Sequence, residues 1–133
     1  MRAHTLLGLT VLSLAACGGG GGSEPDRYQQ AIDQATQTEA MARALGVPSP
    51  CQQDRQCGLL TFLEPTACPT QTYQIYSTVS ATAVAAAAAA NQQITLAQQA
   101  IALNPNPRQP CPLFAVRPPP MPACVANRCQ AAM

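Results

Sequence analysis

Apolar residues recur at steps of three, four and seven positions along the stretch from about Pro25 to Leu45, which is typical of an amphipathic helix. The stripe consists of Tyr28, Ile32, Ala35, Ala42 and Leu45. Ser23 before the stretch predicts a helix cap, and Gly46 predicts its end. We therefore expect a helix within residues 24–46. Its stripe is more simply explained by packing on the rest of the domain than by a partner protein.

Three further segments carry strand patterns. Gly58–Leu63 is a short apolar run between turn residues, and Thr72–Tyr76 alternates with period two. We expect these two segments to pair as an antiparallel hairpin. Near the end of the chain, Cys124–Cys129 predicts two short strands joined at Asn127, a residue type that tolerates a left-handed turn position.

The segment Ser77–Leu103 is uncharged and dominated by Ala, Gln and Thr. Because alanine is the strongest helix former, we predict a long helix that begins at Ser77 or Ser80 and ends at Asn104. A membrane-spanning alternative is disfavoured, since residues such as Gln93 would cost free energy in hydrocarbon. The face expected to pack consists of Val84, Ile94, Ala97, Ile101 and the neighbouring alanines.

Together these elements predict the α+β class: a small disulfide-stapled domain with short antiparallel strands and two helices, the longer one Ala-rich. The disulfide-rich domain should cover residues 47–133. Within it lies a proline-rich segment, 105–122, that should be extended and partly polyproline II. A rigid crossover is favoured there over a ligand for an aromatic groove.

The N-terminal apolar run, Leu6–Leu14, is too short to span a bilayer and predicts a signal peptide over residues 1–16. The run ends in Leu14-Ala15-Ala16-Cys17, which resembles the lipobox of bacterial lipoproteins. The resemblance implies that cleavage precedes Cys17, that its sulfur carries a diacylglyceryl group, and that its amine often receives a further acyl chain such as palmitate. The alternative is ordinary cleavage after Ala15, which leaves Cys17 a plain thiol.

Residues 17–23 then form the expected anchor and tether, with Cys17 followed by the glycine run Gly18–Gly22. A coil of this length and composition reaches only about 15 Å. By the usual sorting rule of such lipoproteins, Gly18 rather than Asp after the cysteine favours the outer membrane, if the organism has one. We expect the membrane, through the lipid, to be one partner.

Charge and composition exclude several functions. The chain has seven basic and six acidic residues, and its arginines are scattered singly, so nucleic-acid binding has no electrostatic basis. The single histidine, His4, lies in the expected signal peptide, which leaves no histidine for a catalytic base, a triad or a zinc site. We expect no enzyme activity, no catalytic residues, no metal and no cofactor. The carboxylates are interpreted as solvated surface: Glu24, Asp26, Asp33, Glu39, Asp54 and Glu64.

Cysteine parity supports the lipid anchor independently, since seven cysteines in an exported protein leave one unpaired. Six disulfide cysteines remain: Cys51, Cys57, Cys68, Cys111, Cys124 and Cys129. No C-x2-C pair is present, which argues against a thioredoxin-like site and a structural zinc site. Six cysteines allow fifteen connectivities. We propose a bridge between Cys68 and Cys111, which flank the long helix, so that the first two cysteines share the other bridges with the last two.

The order C-x-x-D-x-Q-C, an apolar strand, a third cysteine, a Tyr-Ser pair, an Ala-rich helix and a terminal C-V-A-N-R-C resembles a loosely defined group of small secreted bacterial proteins of unknown function. The matching residues are Cys51, Asp54, Gln56, Cys57, Cys68, Tyr76, Ser77, Cys124 and Cys129. The resemblance departs after Cys68, where Pro69-Thr70 stands in place of glycines. It supports the fold and implies no activity.

Three functions follow as hypotheses. The favoured one is a non-catalytic, lipid-anchored extracytoplasmic module of unknown activity, engaged in envelope structure or in binding an envelope protein. The alternative is an inhibitor of an extracellular protease, because the disulfide-rigid loop Pro65–Thr72 would be presented preorganised. An enzyme is the least favoured.

Overall fold

The computed structural model describes residues 23–107, 110–111 and 118–132. The expected signal peptide, the Cys17 anchor and the tether up to Gly22 lie outside these residues, as does part of the proline-rich segment. The elements are α1 (Glu24–Leu45), a 3-10 turn (Asp54–Gln56), β1 (Cys57–Leu63), β2 (Gln71–Ser77), α2 (Ala83–Ala102), β3 (Pro122–Val125) and β4 (Arg128–Ala131). The predicted α+β class is confirmed.

Helix α1 begins and ends where the sequence predicts. Both the backbone N–H and the hydroxyl of Ser23 donate to Asp26 Oδ2, at 3.3 and 2.6 Å, which fixes the first turn. At the other end the N–H of Gly46 donates to the carbonyl of Ala42 at 2.9 Å. A Cβ atom at Gly46 would lie 2.7 Å from Leu60 Cδ1, so a larger residue here would force the Leu60 side chain to shift. The helix end is therefore shaped by packing as well as by capping.

Helix α2 begins at Ala83, six residues later than the earliest predicted start. Ser77 does not cap it, because Ser77 is the buried last residue of β2. Its N–H donates to the carbonyl of Val47 and its hydroxyl to that of Pro50. Thr82 precedes the helix and donates its hydroxyl to Leu45 O at 2.6 Å, which ties α2 to the end of α1. The expectation that the Ala-rich helix is the longer one is wrong: α2 has 20 residues and α1 has 22.

The two helices pack on each other through alanines, and one face of β1 covers α2. The buried cluster consists of Ala42, Leu60, Phe62, Ala86, Ala89 and Ala90. Val84, expected in this face, is 84% exposed, whereas Gln93 is fully buried. The helical phase of the buried alanines places Gln93 inward and Val84 outward. No helix in the described ranges is long and apolar enough to cross a membrane.

Both predicted hairpins are confirmed. Strands β1 and β2 pair antiparallel from Cys57 opposite Ser77 to Leu63 opposite Gln71. Strands β3 and β4 form a second two-stranded sheet. Their two-residue turn has positive φ angles of 50° at Ala126 and 60° at Asn127, as a type I′ hairpin turn requires.

Gln93 pairs with β1 as an additional strand would. Its Oε1 accepts the N–H of Leu63 at 3.1 Å, and its Nε2 donates to the carbonyl of Leu63 at 2.8 Å. The amide side chain therefore satisfies both backbone groups of one residue. This explains how a glutamine is accommodated in an otherwise apolar helix contact.

Replacement of Gln93 by Leu should lower the free energy of unfolding by about 1–3 kcal/mol, because it leaves two partly buried polar groups of Leu63 without a partner. Urea unfolding followed by circular dichroism measures the change. Gln92→Leu, at the adjacent exposed position, is the control and should change stability by about 0.5 kcal/mol or less. Equal effects of the two substitutions would contradict this role of Gln93.

Candidate functional site

Three disulfides join the six cysteines that follow Cys17. They are Cys51–Cys124, Cys57–Cys129 and Cys68–Cys111, with Cα–Cα distances of 5.9, 5.4 and 5.4 Å. The third is the bridge that the sequence analysis proposes. The other two join the first pair of cysteines to the last pair, and the structure supplies the order that the sequence leaves open.

The first two bridges lie side by side and form what we term the four-cysteine cluster: Cys51, Cys57, Cys124 and Cys129. The sulfur atoms of Cys51, Cys57 and Cys129 lie within 4.8 Å of one another, and Cys124 is bonded to Cys51. Cys51 and Cys129 are 1% and 3% exposed, whereas Cys124 is partly exposed. Because every sulfur in the cluster belongs to a disulfide, the cluster in this state presents no thiolate to a metal ion.

Backbone hydrogen bonds hold the second hairpin beside the segment that follows α1. The N–H of Cys51 donates to the carbonyl of Asn127 at 3.2 Å. In the other direction, the N–H of Cys129 donates to the carbonyl of Pro48 at 2.7 Å. Hydrogen bonds and disulfides therefore fix the hairpin at the same place.

The polar residues of the C-x-x-D-x-Q-C segment organise this attachment. Asp54 Oδ1 accepts the backbone N–H of Cys124 at 2.8 Å. Gln56 Oε1 accepts the N–H groups of Gln52 and Gln53, at 2.6 and 3.2 Å, which closes the turn between the two cysteines. The motif residues thus have structural roles. Their proximity to two cysteines is the sequence signal for those roles.

The loop joining β1 to β2 is the second candidate site, and it covers residues 64–70. The predicted range, Pro65–Thr72, extends two residues too far, because Gln71 and Thr72 belong to β2. The N–H of Glu64 donates to the carbonyl of Thr70 at 2.9 Å, and the Thr70 hydroxyl donates to Glu64 Oε2 at 2.5 Å. The Cys68–Cys111 bridge holds the loop from its far side. The loop is closed at its base and covalently held near its tip.

Arg43 makes several polar contacts that the sequence does not predict. Its guanidinium lies 4.2 Å from the centre of the Phe62 ring and 2.7 Å from Glu39 Oε1. It also donates to Thr72 Oγ1 at 2.9 Å and to Gln74 Oε1 at 3.4 Å. All these contacts are within the chain, so Arg43 links α1 to β2.

The carboxylates are solvated to different degrees. Asp26, Asp33 and Asp54 are exposed, as predicted, although each also accepts a hydrogen bond. Glu39 and Glu64 are only partly exposed, because Glu39 pairs with Arg43 and Glu64 accepts the Thr70 hydroxyl.

Comparison of the chain with protein-family models, with curated proteins and with solved structures finds no match.

The bridges should contribute unequally to stability. Cys51–Cys124 and Cys57–Cys129 link nearly the same two segments. When one of these bridges is intact, the other closes a loop of only about a dozen residues and adds about 3 kcal/mol to the free energy of unfolding. Cys68–Cys111 closes a loop with a sequence separation of 43 and contributes about 4 kcal/mol. Urea unfolding of the Cys51→Ala/Cys124→Ala and Cys68→Ala/Cys111→Ala variants should show the larger loss in the second variant. The reverse order would contradict the chain-entropy argument.

Proposed function

We propose that this chain is a lipid-anchored extracytoplasmic module, a bacterial lipoprotein without catalytic activity that binds an envelope protein or contributes to envelope structure. The supporting observation is the pairing of the cysteines. The six cysteines after Cys17 are all used in disulfides, so Cys17, in its lipobox-like sequence, is the one left for the lipid. Such an anchor also requires residues 1–16 to act as a signal peptide.

Disulfides support the extracytoplasmic location, because three bridges in a small domain are typical of oxidising compartments. The first turn of α1 starts at Glu24, directly after the tether of residues 17–23. A tether that reaches about 15 Å would hold the folded domain near the lipid surface. Gly18 supports the outer membrane as the destination, where the organism has one.

Several charged side chains pair with other groups of the same chain, which supports binding rather than catalysis. Arg43 and Glu39 pair with each other, while Asp54 and Glu64 hold the second hairpin and the loop of residues 64–70. These residues secure the shape of the surface. We infer that the surface acts by its shape, with no cofactor, metal or nucleic acid involved.

Substitution of Cys17 by Ser should move the protein from the membrane fraction to the soluble extracytoplasmic fraction, because it removes the sulfur that carries the lipid. Detergent-phase partitioning and immunoblotting of fractions measure the change. The wild-type protein should enter the detergent phase. A Cys17→Ser variant that stays in the membrane would contradict the proposed anchor.

Gly18→Asp is the matched control, since it changes the neighbouring residue and keeps the sulfur. This variant should remain lipidated and membrane-bound. In an organism with two membranes it should shift from the outer to the inner membrane under the sorting rule given above.

A second candidate, inhibition of an extracellular protease, is supported by one observation. The loop of residues 64–70 is closed at its base by two hydrogen bonds between Glu64 and Thr70, and the Cys68–Cys111 bridge restrains it. Thr66 and Pro69 in this loop are exposed. A loop held in one conformation loses little entropy when it enters a protease cleft.

If this candidate is correct, the protein should slow cleavage of a small chromogenic peptide by at least one secreted serine endopeptidase and should stay uncut in the loop. The Cys68→Ala/Cys111→Ala variant should lose the inhibition and be cleaved within residues 64–70. Cys51→Ala/Cys124→Ala leaves the loop bridge intact and is the control. Rapid cleavage of the loop in the wild-type protein would exclude inhibition.

A further inference from the structure

The four-cysteine cluster places two disulfides close enough for one to react with the other. Thiol–disulfide exchange requires a thiolate to reach a sulfur of an existing disulfide. Three of the four sulfur atoms lie within 4.8 Å of one another, and the fourth, in Cys124, is bonded to one of these three. Release of either sulfur of one bridge therefore generates a nucleophile beside the other bridge.

The geometry of the second hairpin also permits a disulfide within the hairpin itself. Cys124 and Cys129 are directly opposite each other in β3 and β4. Their N–H groups donate away from the hairpin, to Asp54 Oδ1 and to the carbonyl of Pro48, which identifies them as a non-hydrogen-bonded pair. Such pairs have Cα atoms about 4.5 Å apart, which is within the range for a disulfide.

We propose that the cluster is a disulfide-exchange site for an external thiol, either a small molecule or a protein cysteine. Exchange converts the pairs Cys51–Cys124 and Cys57–Cys129 into Cys51–Cys57 and Cys124–Cys129. Within the Cys51–Cys124 bridge, exposure favours Cys124 as the point of entry, because Cys124 is partly exposed and Cys51 is buried. This proposal is independent of the lipid anchor.

The exchange proceeds in three displacements, with no net oxidation. The external thiolate attacks the Cys124 sulfur, forms a mixed disulfide and releases the Cys51 thiolate. The Cys51 thiolate attacks the Cys57 sulfur, forms Cys51–Cys57 and releases the Cys129 thiolate. The Cys129 thiolate then attacks the Cys124 sulfur of the mixed disulfide, forms Cys124–Cys129 and regenerates the external thiolate.

The product differs from the starting state in how the second hairpin is attached. Both original bridges of the cluster link this hairpin to the segment around β1, whereas both product bridges are local. After exchange, the two backbone hydrogen bonds and the Asp54 contact remain at the cluster, with Cys68–Cys111 elsewhere in the chain. Exchange therefore leaves the hairpin attached at the cluster by noncovalent contacts alone.

The experiment uses the full-length Cys17→Ser variant, which has no additional thiol, and substoichiometric glutathione. Free thiols are then blocked with N-ethylmaleimide, and the protein is digested with trypsin and chymotrypsin without reduction. Trypsin alone leaves the same linked set of peptides in both states. Chymotryptic cleavage after Phe62 and Phe114 separates the cluster cysteines from Cys68 and Cys111.

The native state links peptide 44–55 to 115–128 and peptide 56–62 to 129–133. We expect glutathione to replace these species with 44–55 linked to 56–62 and 115–128 linked to 129–133, while Cys68–Cys111 persists. Persistence of the native links would overturn the proposal. Rearrangement that includes Cys68 or Cys111 would also overturn it, since that outcome indicates general scrambling.

A second variant isolates the first step. In Cys57→Ser/Cys129→Ser on the Cys17→Ser background, the receiving bridge is absent, so stoichiometric oxidised and reduced glutathione should leave glutathione on Cys124 and a free thiol at Cys51. Circular dichroism checks that the variant folds. Glutathione found on Cys51 instead would contradict the proposed entry point.

Discussion

Alanine at the contact between α1 and α2 brings the two helix backbones close together, and this contact buries little apolar area per residue. Ala35, Ala42, Ala86, Ala97 and Ala100 have no solvent exposure. Among the described residues, the largest fully buried side chains are Phe62, Gln93, Cys51 and Ser77, of which only Phe62 is a large hydrocarbon. A core of this kind needs hydrogen bonds and covalent bridges to offset the entropy of folding.

The hydrogen bonds that help to offset this entropy connect elements that are distant in sequence. Thr82 ties the start of α2 to the end of α1, and Ser77 ties β2 to the segment that carries Cys51. Gln93 fixes α2 along β1. Each of these hydrogen bonds joins two specific groups, whereas two surfaces of alanine pack similarly at several relative positions. These bonds therefore determine the register between the elements, while the alanines determine their distance.

The sequence predicts the structure correctly where local chemistry decides it. The start of α1 follows from Ser23 and Asp26, and both hairpins follow from alternation and turn residues. It fails where a tertiary contact competes with a local one. The sequence around Ser77 is compatible with a helix cap, but Ser77 is buried at a strand end. No periodicity shows that Gln93 has a backbone partner 30 residues away.

The same limit applies to the candidate site. Parity and spacing identify which cysteines form bridges, but the adjacency of two bridges depends on how β4 lies beside the segment at Pro48, a contact made by backbone groups. Backbone contacts between distant segments leave little signal in side-chain composition. For this reason the sequence predicts that these four cysteines join two segments, and the structure adds which pairs form and how close the two bridges lie.

The Gln93 contact also bears on how copies of this protein behave toward one another. A two-stranded sheet has two open edges, and unpaired backbone groups on an edge can recruit a strand from another molecule and start aggregation. The side chain of Gln93 occupies the β1 edge at Leu63, and the carbonyl of Val47 occupies the β2 edge at Ser77. The two edges are thus blocked at opposite ends of the hairpin. An incoming strand would have to displace a buried side chain or a neighbouring segment, which disfavours edge-to-edge assembly of two copies.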